Sequence, residues 1–168
     1  MQEHEKKVLE KRKQDAAIKT MYYNRYFMIR YVTVFFLVIN LNWVAILYLM
    51  DSPTMMLIPC LLLVFAIRAM WEQYTMYTKD QKKARYTKYF HWTSMVINLV
   101  IIILVIFQQH QSLFPFIKMS LAGTITVISI QLIGLLLSSL VLVKLKKINL
   151  KKDKQYKRVK HYLASIKL

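Results

Sequence analysis

Four long apolar blocks alternate with polar, mostly basic segments along this chain. The first runs from Ile29 to Leu49 (IRYVTVFFLVINLNWVAILYL) and carries no charge after Arg30. Met50, Asp51, Ser52 and Pro53 form a short turn, and the second block follows at Thr54 to Trp71. The third covers Phe90 to Phe107, and the fourth covers Met119 to Val143 without an ionisable group. A helix crosses ~30 Å of hydrocarbon with ~20 apolar residues and needs ~17 at the least. The first and fourth blocks meet that length easily, and the second and third sit near the short limit. A buried helix of a soluble core would show a polar stripe, and the fourth block has almost none.

Two glycines and three prolines, none of them between Cys60 and Phe114, leave too few turn residues for a barrel or sandwich. Pro59 falls about one turn into the second block, where a first-turn proline is tolerated. The expected fold is therefore an all-α, integral membrane four-helix (tetraspan) bundle. Its parts are a mixed-charge segment over 1–28, a membrane domain over 29–143 and a basic tail over 144–168. The N-terminal segment is long and charged, unlike a secretory signal, and reads as a solvated helix feeding the first span. A turn near Thr78 to Gln81 would reverse the chain between spans two and three, which would project past the membrane as helical extensions.

Charge orients the bundle. Of 25 Lys and Arg, 24 fall on one side of a four-span arrangement, and Lys118 alone falls on the other. Positive loops stay cytoplasmic, so both termini are expected inside the cell membrane. Tyr22, Tyr23, Tyr26, Trp71, Tyr74, Tyr86, Tyr89 and Trp92 cluster at the same border, as interfacial aromatics do. Arg30 and Arg68 lie about a turn inside it and can snorkel outward. Glu72, four residues after Arg68, is placed to form an ion pair with it.

The middle of the four blocks contains no Asp, Glu, Lys or His. Proton-coupled carriers and pumps normally need such a relay there. There is no HExxH, no glycine-rich phosphate loop, and the four histidines are scattered. Cys60 is the lone cysteine, so neither a disulfide nor a cysteine metal site is available. Catalysis, cofactors and metals are accordingly not expected.

Three amides stand out instead. Asn40, Asn98 and Gln131 fall at a similar mid-membrane depth, Asn40 about 15 Å from Arg30 at ~1.5 Å per residue. Arg30 and Thr33 share a helix face with Asn40, and His91 and Ser94 share one with Asn98. On the fourth block that face is Ser120, Thr124, Gln131, Gly134 and Ser138. Such groups usually hydrogen-bond between helices, each contact worth ~0.6 to 2 kcal/mol. The sharper alternative is the lining of a pore or pocket.

The tail supplies the last pattern. Tyr156, Val159, Leu163 and Ile166 recur at three- and four-residue spacing, while Lys152, Lys154, Lys157, Arg158 and Lys160 occupy the rest. A basic amphipathic helix of this kind suits an anionic lipid surface or a partner's helix. Nucleic acid is not an expected partner, because topology accounts for the basic residues and no reading motif accompanies them. The leading expectation for function is a non-enzymatic accessory or scaffold subunit that binds another membrane protein. The alternative is a small homo-oligomeric channel or carrier built around the three amides.

Overall fold

The computed structural model describes residues 2–76, 84–107, 113–114, 117 and 120–166. Among the described residues, six helices follow one another: α1 (Gln2–Arg25), α2 (Phe27–Leu49), α3 (Leu57–Thr75), α4 (Arg85–Ile106), α5 (Leu121–Asn149) and α6 (Lys154–Ile166). No strand occurs among the described residues. Among the described residues, helices α2, α3 and α4 and the stretch opened by α5 are the four long and apolar enough to cross a membrane. The expected turn near Thr78 to Gln81 and the isolated Lys118 lie outside the described residues.

The helices start and stop where local chemistry directs. Ser120, in extended conformation, caps α5 by accepting a hydrogen bond from the Gly123 N–H at 3.1 Å. Helix α2 ends in a left-handed residue, Asp51 (φ 48°), with Ser52 N–H donating to the Leu47 carbonyl and Asp51 N–H to that of Tyr48. This crossed pair satisfies carbonyls that a helix end would otherwise orphan. The same motif closes α5, with Lys151 left-handed (φ 54°) and Lys152 N–H donating to Lys147. Pro59 lies in the first turn of α3, where a missing N–H costs little.

Three helices outlast their apolar blocks. Helix α3 continues past Trp71 to Thr75, α4 begins at Arg85 rather than Phe90, and α5 runs six residues beyond Val143. Those flanks contain no glycine or proline, and lysine and glutamate are good helix formers, so nothing stops the helix at the apolar border. At 29 residues, α5 is about 43 Å long and exceeds the ~30 Å hydrocarbon thickness.

From α2 to α5 each helix packs against the next, α4 against α5 most extensively, and α2 meets α5 only sparsely. The result is an up-and-down bundle with one loose seam. Apolar clusters fill it in three levels. Ile29, Val141, Leu145 and Ile148 pack at the end carrying Arg30 and Arg68, called the basic end below. Phe36, Leu62, Ala66 and Phe90 fill the middle, and Ile101, Val105, Phe114 and Val127 fill the far end. The outer faces are apolar as well: Leu57, Phe107 and Leu121 are 70%, 72% and 80% exposed. An apolar surface that continuous suits hydrocarbon rather than water. Helices α1 and α6 lie outside the bundle at the basic end and pack on each other.

Candidate functional site

Midway along the bundle, a cavity of about 470 Å³ lies between α2, α4 and α5. Asn40 and Trp43 of α2, Ser94 and Asn98 of α4, and Gln131 and Gly134 of α5 all reach it. The three amides predicted at a common depth thus meet at one place. They do not form the interhelical hydrogen bonds expected of them. Asn40 donates to the Phe36 carbonyl of its own helix at 2.7 Å. Asn98 Nδ2 and Ser94 Oγ are buried without a partner, and Gln131 makes no side-chain hydrogen bond among the described residues.

Gly134 explains how Asn98 fits. A Cβ at this position would come within 2.5 Å of Asn98 Nδ2, so the missing side chain makes room for the carboxamide against α5. Toward the far end the cavity is roofed by Phe114, whose ring stacks on Trp43 at 5.1 Å. Trp43 Nε1 also donates to the Leu113 carbonyl at 3.3 Å, which fixes the indole. Phe35, Ile39, Ile130 and Ile133 line the cavity and are also exposed, so its mouth opens sideways at the loose α2–α5 seam.

Interhelical polar contacts occur one level nearer the basic end. Gln73 Nε2 donates to Thr33 Oγ1 at 2.9 Å and approaches Thr87 Oγ1 at 3.3 Å. Thr33 Oγ1 gives its proton to the Ile29 carbonyl at 2.8 Å and lies 3.2 Å from His91 Nε2. With the hydroxyl proton so committed, Nε2 is assigned as the protonated nitrogen of His91. This string ties α2, α3 and α4 together, the role sequence reasoning gave to the mid-level amides.

Glu72 does not pair with Arg68. Its carboxylate accepts the backbone N–H groups of Arg85 and Thr87 at 2.8 Å each and of Tyr86 at 3.1 Å, and the Thr87 hydroxyl at 2.9 Å. A carboxylate there satisfies the orphaned donors of α4 and faces the positive end of its dipole, which outcompetes one exposed cation. Arg68 instead lies 4.9 Å from the ring centroid of Tyr86. Arg30 donates to the Gln73 carbonyl at 3.1 Å and rests 4.1 Å above the Tyr23 ring.

The basic end also holds a contact that no sequence pattern announced. Arg25 is fully buried and grips Asp153 with two bonds, Nε to Oδ2 at 3.0 Å and Nη2 to Oδ1 at 2.6 Å. The same Asp153 caps α6 by accepting the Tyr156 N–H at 3.0 Å, and the Arg25 guanidinium lies over the Tyr156 ring at 5.1 Å. Burial pushes the Asp153 carboxyl up, but the Arg25 hydrogen bond and charge and the backbone donors outweigh it and leave the pKa lowered. The one legible hint was that Asp153 is the sole acidic residue of the tail.

This clamp redirects the tail. Val159, counted among the residues facing lipid or a partner, is buried, with α6 packed along α1, where Ile18 is buried too. Tyr156, Leu163 and Ile166 are half-buried on the same side. The apolar stripe is therefore largely used within the chain, whereas Lys152, Lys154, Lys157, Arg158 and Lys160 stay exposed.

No known protein family, curated protein or solved structure matches this chain. Among the described residues, no group of three or more His, Cys, Asp and Glu is placed to hold a metal ion. Cys60 is exposed on α3.

Proposed function

We propose that this is a non-enzymatic multi-pass protein of the cell membrane that serves as an accessory or scaffold subunit for another membrane protein. Both termini lie in the cytoplasm in this reading, because 24 of its 25 basic residues share one side of the four spans. The observation that carries the proposal is the basic-end platform. Helix α1 is locked to α6 through the buried Arg25–Asp153 pair, while its residues 3–13 are exposed on every side. A preformed arm of this kind, with Val8 and Leu9 exposed among mixed charges, offers a partner a recognition helix at little ordering cost. The exposed cations of α6 add attraction for an anionic leaflet, ~1 kcal/mol for each one near the surface.

Two measurements test it. In a Cys60→Ala background, single cysteines at Ser52 or Ser120 are expected to react with an impermeant maleimide added to intact cells. Cysteines at Glu10 or Ser165 are expected to react only after the membrane is opened, and external labelling at Ser165 would end the topology. Purification in mild detergent is expected to recover a stoichiometric membrane partner, lost when Val8 and Leu9 are both changed to Ser.

A homo-oligomeric channel or carrier is the second reading, favoured by the cavity at Asn40, Asn98 and Gln131. A discrete homo-oligomer that conducts or transports in liposomes would replace the accessory reading.

A further inference from the structure

We infer that the cleft at the α2–α5 seam is a binding site for a neutral, membrane-soluble molecule bearing a carbonyl on a planar head, the chemistry of a quinone. The inference rests on the membrane reading but not on the accessory role, since this chain alone lines the cleft.

Charge decides first. None of the described residues lining the cavity is charged. A charged ligand would sit there uncompensated, at a cost far above that of a neutral one. Hydrogen bonding decides next. Asn98 Nδ2 and Ser94 Oγ are buried donors without acceptors, and Gln131 presents an uncommitted carboxamide. A buried donor left without an acceptor is costly, and an incoming carbonyl oxygen offers one. A saturated hydrocarbon tail entering the same space would recover none of it.

Shape and access point the same way. About 470 Å³ falls within the usual range for small-molecule sites, ~300–1,000 Å³. Gly134 lets Asn98 lie against α5 and leaves the space open. Phe36 and Trp43 supply flat apolar walls, with Trp43 held in place by Phe114 and the Leu113 carbonyl. The mouth faces sideways between exposed apolar lips, so the ligand arrives from the hydrocarbon and leaves its tail there.

The chain carries its own reporter. Of its three tryptophans, Trp43 lines the cleft, whereas Trp71 and Trp92 are exposed on the outer surface. A Trp71→Phe/Trp92→Phe protein in neutral-lipid nanodiscs is titrated with a short-tailed benzoquinone. Trp43 emission is expected to be quenched with a saturable midpoint. A Trp43→Phe/Trp71→Phe protein, which keeps Trp92, is expected to show only the linear quenching of a quinone dissolved in lipid. Asn98→Leu and, separately, Ser94→Ala are each expected to raise the midpoint at least fivefold. An alkane of the same tail length is expected not to compete. Linear quenching at Trp43, equal competition by the alkane, or an unchanged midpoint in both variants would overturn the site. Ser94→Ala is the milder change and keeps the test decisive if Asn98→Leu folds poorly.

Discussion

Changing Asp153 to Asn keeps the size of the side chain and an oxygen to cap α6, but removes the charge that Arg25 holds. In the native protein the Arg25 guanidinium is fully buried, with its Asp153 bonds at 3.0 and 2.6 Å and a weaker one to the Ile148 carbonyl at 3.4 Å. Removing one partner of such a pair leaves a buried charge unmatched, at a cost of ~3–5 kcal/mol. Asn retains one acceptor and belongs at the lower end; Ala also loses the cap, adding ~1 kcal/mol. At ~1.4 kcal/mol per tenfold, the fraction of molecules with α6 released from α1 rises ~100-fold or more for Asn. Trypsin reads this directly, because Lys157, Arg158 and Lys160 are cleavable only when α6 opens, and the rate follows the open population while reclosing is fast. In mild detergent, Asp153→Asn is expected to be clipped within α6, after Lys157, Arg158 or Lys160, ~100-fold faster than the parent, and Asp153→Ala faster still. The double change Arg25→Met/Asp153→Leu is expected to recover most of the protection, since an apolar pair of similar volume avoids the desolvation cost. Cleavage within α6 of Asp153→Asn at a rate within threefold of the parent would refute the claim that this pair holds the termini together.

Three further outcomes are expected. Because the folded pKa of Asp153 is lowered, its stabilisation is fully present above the ordinary carboxylate value of ~4 and fades as pH falls through the lower folded value. Hydrogen exchange of α6 amides is therefore expected to stay protected from pH 8 to 5 and to lose protection only below ~4; loss between 7 and 5 would contradict the assignment. Glu72→Gln weakens three N–H contacts at the start of α4, and a fall of ~1–2 kcal/mol in stability is expected. Arg68→Met is expected to change little, and equal effects of the two would restore the Arg68–Glu72 pair. Lys151→Gly relieves a left-handed backbone (φ 54°) that costs a side-chain-bearing residue ~1 kcal/mol, so a raised unfolding temperature is expected; a lowered one would show that the lysine side chain matters more.

The inward faces of the long helices were readable because burial on one helix repeats with the helical period. Of the faces grouped by spacing alone, Thr33 and Asn40 on α2, His91 and Ser94 on α4, and Gln131 and Ser138 on α5 are buried, Arg30, Asn98, Thr124 and Gly134 are half-buried, and Ser120 at the start of α5 is exposed. The ends of the helices were less readable. An apolar block marks where hydrocarbon would begin, whereas a helix continues until a cap or a left-handed residue stops it, as at Asp51 and Lys151.

By itself, then, the sequence determined the four apolar helices, their polar lines and the separation of basic from apolar segments, all properties of a stretch and its solvent. The tertiary structure decided which distant groups meet. Arg25 and Asp153 lie 128 residues apart, and no periodicity links them. Glu72 had Arg68 one turn away, yet the bare N–H groups of α4 were closer to its carboxylate once α3 and α4 packed. The amphipathic stripe of the tail specifies only that some apolar surface covers it. The reversal at Lys151 and the Asp153 cap turn α6 back onto α1, so that Val159 is buried within the chain. Even the convergence of the three amides on a cleft depended on packing, because only the sparse contact of α2 with α5 leaves the space open. Local patterns fix what each segment needs, and the partners that meet those needs depend on which surfaces folding brings together.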